Sequence, residues 1–382
     1  MKLNAVHPTA KVERIVVAYP CGADDPPHQM ASHASLGRKL AKLLQSPFID
    51  SYDPKQYPGM EGIYYIPSET LVGGDRADPH GSMLVVRSVS DLFGGVAPHP
   101  FVATKAITHP LLHPAAQAPT GWSTQFGLAV KDAVLNGTTA FTAEDALNAG
   151  KELLRNGALR VKAVNGTGGR GQRTVRNLGA LAEAIEQYGD KLPVVGLVLE
   201  EHLDDVETYS VGQVQVGDLL ISYVGTQELT PDNSGVPVYG GSVLRLVRGG
   251  WNALLEHACS AAEFEAVRLA CIYDEAAFRC FPTLYASRRN YDVARGLNGA
   301  GKPRCGVLEQ SWRAGGASFA EACALEFFDA EPEAQTVRAF TAERYGRGQQ
   351  VPSTAQLVFQ DDDPAVGFIT KYGGLSAYGH DT

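Results

Sequence analysis

The chain has 382 residues, 44% hydrophobic and 20% charged, enough for two or three domains and a sizeable core. A formal charge of −9 excludes a generally basic surface for nucleic acid or an anionic membrane, but leaves room for a small anion in a locally basic cleft. No apolar run approaches a membrane span, and the opening "MKLNAVHPTAKVERIVVAYP" lacks the apolar core of a signal peptide, so the expectation is a cytoplasmic protein.

In chain order, "ERIVVAY" (residues 13–19) reads as a buried strand, and "HASLGRKLAKLLQ" has helical spacing through Leu36, Leu40, Leu43 and Leu44. "GIYYIPS" and "SMLVVRSV" read as further strands, which predicts a small α/β domain. Residues 95–124, rich in Pro, His and Thr, read as a linker, with His99, His109 and His113 as loop residues. A β-like "TTAF" then leads into a helix that starts at Thr142 and Asp145 and stops at Gly157. The six cysteines (Cys21, Cys259, Cys271, Cys280, Cys305 and Cys323) form no C-x-x-C pair and read as buried thiols.

"VKAVNGTGGRGQRTV" (residues 161–175) packs four glycines between a strand and a second β-like stretch, and only afterwards does "LGALAEAIEQYG" turn helical. The loop therefore joins two strands. Gly166, Gly168 and Gly171 match G-x-G-x-x-G, but a dinucleotide site needs a helix directly after the loop and an acid ending the next strand. The Gly-Lys-Ser/Thr of a Walker loop and the H-R-D and D-F-G of protein kinases are absent. Two readings remain: a ligand-free glycine hairpin, or a loop whose amides, flanked by Lys162 and Arg170, cover a polyphosphate.

Downstream, residues 196–225 read as a strand, a short connection, and two strands joined at Gly217–Asp218. "EFEAVRLACIYDEAAFRCF" reads as a core helix, and "SRRNYDVARG" as a strand carrying Asp292. In "GVLEQSWRAGGAS", period-two alternation puts Glu309, Ser311 and Arg313 on one face with Val307, and Leu308, Gln310 and Trp312 on the other. An acid, a hydroxyl and a guanidinium in a row suit a Mg²⁺–phosphate site; a solvated sheet face is the alternative. Ser318 and Glu321 have capping-box spacing, and "QDDDP" (360–364) reads as a charged turn.

The order of these pieces resembles the ATP-grasp superfamily over roughly residues 125–330: a lysine strand before a glycine flap, the hinge "VLEEHL", "ETYSV", "RRNYDV" and the E-x-N-x-R-like "LEQSWR". The whole chain, through "YGGSVLRLVRGG", "SRRNYDVARG" and "GVLEQSWRAGGAS", also resembles a bacterial family catalogued as domain of unknown function 3182. The resemblance implies an α/β (α+β) chain with two α+β subdomains gripping ATP, preceded by a small Rossmann-like domain. The implied division is 1–124, then 125–200 with the flap, then 201–382 with the metal site and a C-terminal extension.

By the same resemblance, Lys162 contacts the α- and β-phosphates, and Gly168, Gly169 and Gly171 close over the β- and γ-phosphates. Glu200 faces the adenine amine, the backbone from Glu201 to Leu203 reads the adenine edge, and Glu207 holds the ribose. Asp292 and Glu309 bind one or two Mg²⁺ ions, with Ser311 standing where the superfamily has asparagine. Arg289 and Arg313 stabilise the transferred phosphoryl group, and a second phosphate lysine is Lys131 or Lys105, with Lys131 preferred. The implied activity is an ATP- and Mg²⁺-dependent ligase that joins a small carboxylate to an amine or other nucleophile, with a homodimer as the superfamily's common assembly. A small-molecule kinase on the same fold, a non-catalytic nucleotide-binding protein and, last, a dinucleotide-dependent oxidoreductase stand as alternatives.

Overall fold

The structure is a computed structural model that describes residues 14–19, 21, 25–50, 52–57, 60, 62–73, 76–77, 83–84, 86–166, 171–258 and 260–376. Its first layer is a three-stranded parallel sheet of Ile15–Tyr19 between Phe48–Ile49 and Ile63–Pro67. The helix Pro27–Leu43 crosses this sheet, and its Leu36 and Leu40 pack on Val16, Tyr64 and Ile66.

The expected linker at 95–124 is part of the core. Phe101, Val102, Ala106, Ile107 and His109 are buried, because two short 3-10 turns fold this stretch against the helices Thr124–Val130 and Ala261–Cys280. A high proline content therefore marks tight turns here, not a solvated tether.

The second layer is a four-stranded antiparallel sheet in the order Gln172–Val175, Leu159–Ala163, Leu197–Glu201, Gly137–Ala140. Alternation sorts its faces. Leu159, Val161, Leu197 and Leu199 meet Ala146, Ala149, Leu181 and Ile185 of the helices Ala143–Leu153 and Leu178–Glu186, so the even-numbered neighbours face away from those helices. Thr142 caps the first of these helices by accepting the Asp145 N–H at 3.1 Å, and Gly157, at φ 137°, follows its end.

The third layer is an eight-stranded antiparallel sheet: Pro303–Ser311, Arg288–Asn298, Leu203–Val216, Leu219–Pro231, Pro237–Arg248, Thr336–Tyr345, Gly367–Leu375, Gln356–Asp363. One face packs Tyr209, Val211, Val224, Tyr291 and Val293 on the helix Ala261–Cys280. The other packs Val214, Tyr223, Leu244 and Val337 on the helix Ser318–Ala330 and the N-terminal layer. Where that cover stops, the sheet face opens as a cleft. Among the described residues no helix is long and apolar enough to cross a membrane.

Candidate active site

The glycine segment is the turn of a hairpin. Gln172 pairs with Lys162, the Gly171 carbonyl accepts the Ala163 N–H at 2.9 Å, and Gly171 sits at φ 71°, which glycine adopts without strain. Gly168 and Gly169 lie outside the described residues. Because Leu159 and Val161 face the helices, Arg160 and Lys162 face the cleft, and so does Glu200 on the adjacent strand.

Register makes Lys162 and Glu200 diagonal neighbours, with Lys162 opposite Val198 and Glu200 opposite Arg160. The Lys162 ammonium bonds Glu200 Oε1, and His109 Nε2 lies 3.0 Å from Oε2. All three side chains are buried. Burial pushes the Glu200 carboxyl up, but Lys162 and then His109 outweigh it and hold the group at about 2. His109, expected as a plain loop residue, is thus one leg of a buried triad.

The connection after Glu200 turns through Glu201 to Leu203. Glu201 is anchored away from the sheet face: Oε1 accepts the Asn136 N–H at 2.9 Å and Arg304 Nε at 3.0 Å. A bulge between Asp204 and Glu207, with Asp205 at φ 52°, then carries Glu207 to the cleft wall, where the Tyr209 hydroxyl bonds its carboxylate.

Asp292 and Glu309 face each other across two paired strands. Asp292 Oδ1 accepts Gln227 Nε2 at 2.8 Å and Asn290 Nδ2 at 3.0 Å. Burial, and next the Glu309 charge, raise the Asp292 carboxyl to about 6. The Lys105 ammonium answers this pair, lying 2.5 Å from Glu309 Oε2 and donating to the Gly166 carbonyl at 2.8 Å. Gln310 holds the Lys105 turn by donating to the carbonyls of Val102 (2.9 Å) and Thr104 (2.7 Å). Lys131, preferred on sequence, is exposed at the end of its helix and does not line the cleft; Lys105 does.

Two expectations about faces change. A bulge between Asp292 and Val293 sets two residues, Leu308 and Glu309, against one step of the partner strand. Val307 therefore joins the buried core with Trp312, while Leu308 lines the cleft beside Glu309, Ser311 and Arg313. Arg289 also faces the wrong way for catalysis: it pairs with Asp274 at 3.0 Å, bonds Gln213, and lies over the rings of Phe278 and Trp251 on the opposite side of the sheet.

Its neighbour Arg288 occupies the cleft face. Arg288 Nη2 is 2.7 Å and Nε 2.9 Å from the Glu321 carboxylate, and Nη1 donates to the carbonyls of Ser311 (3.3 Å) and Arg313 (2.5 Å). The expected capping box at Ser318 and Glu321 is absent because Glu321 is spent on Arg288 and the Tyr223 hydroxyl (2.6 Å). Ser318 Oγ instead accepts the Gly315 N–H at 3.0 Å. "QDDDP", expected as a charged turn, instead runs as strand through Asp363, and Asp363 ties this strand to the N-terminal helix by accepting the His28 N–H (3.0 Å) as well as the Ala365 N–H (2.8 Å).

These groups converge on one cleft of about 1410 Å³, running from Arg160 and Glu200 past Asp292 and Glu309 to His33, Arg313, Lys371 and Tyr372. A family model described as "Protein of unknown function (DUF3182)" matches residues 16–373. The chain belongs to this family. No curated protein matches it.

Among solved structures, the biotin carboxylase domain dimer of the Hydrogenobacter thermophilus 2-oxoglutarate carboxylase, in complex with MgADP, ADP and bicarbonate, is similar at TM-score 0.52 and 11% identity, covering 95% of this chain and 86% of that one. Phosphoribosylamine–glycine ligase from Thermotoga maritima is similar at TM-score 0.50 and 16% identity, covering 95% and 92%. N5-carboxyaminoimidazole synthetase from Staphylococcus aureus complexed with ADP is similar at TM-score 0.50 and 9% identity, covering 95% and 93%. The fold of the DUF3182 chain is the ATP-grasp fold, with mixed α/β layers as the sequence leads one to expect.

The donor set in the cleft fits Mg²⁺. Two carboxylates and neighbouring oxygen donors leave most of an octahedral shell to water and phosphate oxygens. Among the described residues no group of three or more His, Cys, Asp and Glu gathers, as a zinc site would require. Asp292 and Glu309 stand opposite each other with Lys105 as a neighbouring cation, so the two carboxylates leave room for a divalent cation between them and the phosphates.

Proposed function

We propose that this protein is an ATP- and Mg²⁺-dependent ligase that phosphorylates a small carboxylate to an acyl phosphate and joins it to an amine or other nucleophile. The observation that carries this reading is the convergence of Asp292, Glu309, Lys105 and Lys162 in one cleft under a glycine hairpin. In this reading Glu200 and Leu203 would take the base, Glu207 the ribose, and Lys162 and Lys105 the phosphates, all of them lining the cleft. Asp292 and Glu309, with Ser311 and its cross-strand neighbour Asn290 alongside, would hold Mg²⁺. When bound, the ion would supply neutralisation of phosphate charge.

Phosphoryl transfer asks a protein for positioning and charge neutralisation more than for covalent help. Arg313 is the cationic side chain for the transferred group, and Arg288 holds the Ser311–Arg313 segment, at and just past the strand end, through two carbonyls. Beyond Arg313, the wall formed by His33, Lys371 and Glu343 leaves room for an acid and a nucleophile. Burial, and the positive charges of Arg313 and Lys371, lower His33 to about 4, so it faces an incoming amine as a neutral hydrogen-bond acceptor.

The test is a panel of ¹⁸O-labelled carboxylic acids with ATP, Mg²⁺ and candidate amines, read by ADP release and mass spectrometry of the phosphate. Transfer of ¹⁸O from acid to phosphate, dependent on both acid and nucleophile, is the expected result. A stable phosphorylated product without a nucleophile would make the protein a kinase instead. ATP turnover that never moves ¹⁸O would exclude an acyl phosphate.

A further inference from the structure

Glu200 presents two oxygens, and each has a different kind of partner. Oε1 is bonded by Lys162, a flexible ammonium that also has phosphates to serve once a nucleotide is bound. Oε2 is 3.0 Å from His109 Nε2. A carboxylate only accepts hydrogen bonds, so Nε2 carries the proton. Nδ1 of the same ring is buried with no partner among the described residues, which leaves the Glu200 contact as the imidazole's one polar bond among them.

The ring itself is fixed. His109 has no exposed surface, and it lies against the backbone of Gly137, where a Cβ would come within 2.6 Å of its Nδ1 and Cε1. Neighbouring turns are tied as well: the Thr139 N–H donates to the Pro110 carbonyl at 2.9 Å, and Thr139 Oγ1 to the Ala106 carbonyl at 2.7 Å. One partner of Glu200 can leave and the other cannot.

We propose that His109 is a positioning residue that sets base specificity, holding Glu200 as a fixed acceptor for the exocyclic amine of a 6-aminopurine nucleotide. The inference rests on the nucleotide reading above and adds to it a residue from the segment that precedes the glycine hairpin. When Lys162 turns toward phosphate, Oε1 is released to the base edge while His109 keeps the carboxylate aimed. A 6-aminopurine donates to that oxygen. A 6-oxopurine sets a lone pair against it and is refused, as sites built around a buried acceptor refuse ligands without the donor.

The test is equilibrium binding of ADP and of inosine diphosphate, each with Mg²⁺, to the full chain by calorimetry. Wild type should prefer ADP at least about tenfold, the worth of one charge-assisted hydrogen bond. His109→Phe should lose most of that preference by weakening ADP about tenfold while inosine diphosphate stays within about twofold. His109→Gln, which restores an N–H donor, should recover the preference. Gly137→Ala, which displaces the ring and keeps every polar group, should erode it as His109→Phe does.

Parallel losses for both nucleotides would reduce His109 to a structural role and overturn the proposal, as would an unchanged preference in His109→Phe and Gly137→Ala. A wild type that binds both nucleotides equally defeats the proposal alone. A wild type that binds neither defeats the nucleotide reading and this proposal with it.

Discussion

Replacing Glu321 should cost far more than replacing Glu321 and Arg288 together. The pair is fully buried, at 1% and 0% side-chain exposure, with contacts of 2.7 and 2.9 Å plus a 2.6 Å bond from Tyr223. Glu321→Ala leaves a guanidinium in the core without its counter-charge, which costs about 3–5 kcal/mol. Arg288→Met strands the carboxylate and costs about the same. In the double variant Arg288→Met/Glu321→Leu neither charge remains, and apolar replacement of a buried pair is close to neutral. What persists is the loss of donors to the Ser311 and Arg313 carbonyls, about 1 kcal/mol each, so the double should sit about 2 kcal/mol below wild type.

Urea unfolding at constant m-value measures all three variants. The double should still respond poorly to ATP and Mg²⁺, because the segment carrying Arg313, just past the strand end at Ser311, has lost its tether. Single-variant losses that simply add in the double, to about 6–10 kcal/mol, would refute the argument that the charges are compensated by each other.

Three further outcomes follow from the geometry. His33, lowered from 6.5 to about 4 by burial and by Arg313 and Lys371 against the opposing charge of Asp25, stays neutral in the fold at pH values where the unfolded chain takes up a proton. Its contribution is therefore complete above pH 6.5 and is lost as pH falls toward 4, amounting to about 2 kcal/mol between pH 6.5 and 5. His33→Gln should flatten that part of the stability–pH curve, and an unchanged slope would contradict it. Lys105→Met should weaken nucleotide binding about tenfold or more by calorimetry, whereas Lys131→Met should change it less than twofold. Arg289→Met should lower the melting temperature with little effect on kcat of the folded fraction, and Arg313→Met should do the reverse.

The layers were largely legible because alternation is a strong signal when one sheet face is buried. Leu159, Val161, Leu197 and Leu199 face helices, so Lys162 and Glu200 emerge on the cleft side. The pairing of Asp292 with Glu309 followed from two strand-like stretches of compatible length. The same parity was sufficient to reject Arg289, since Arg288, Asn290 and Asp292 share one face and Arg289 belongs to the other.

Other features were not legible, for physical reasons. The bulge at Leu308 inserts one residue and inverts the face of Val307, and no local composition announces it. Glu321 has capping-box spacing, yet a buried arginine 33 positions upstream outcompetes the local bond. Lys105 and His109 sit in a proline-rich stretch without periodicity, and their burial depends on Gln310 and Glu200, roughly 200 and 91 residues away.

The central claim is that Asp292 and Glu309 hold a metal–nucleotide complex in this cleft. The measurement that tests it most directly is the melting temperature of wild type and Glu309→Gln, each with Mg²⁺, with ATP, and with both. A ligand at about 100 times its Kd adds about 2.7 kcal/mol, so wild type should rise by several degrees with ATP and Mg²⁺ together. Glu309→Gln should lose most of that rise, each shift being taken from the variant's own unliganded melting point. No rise in wild type, or an equal rise in the variant, would contradict the account.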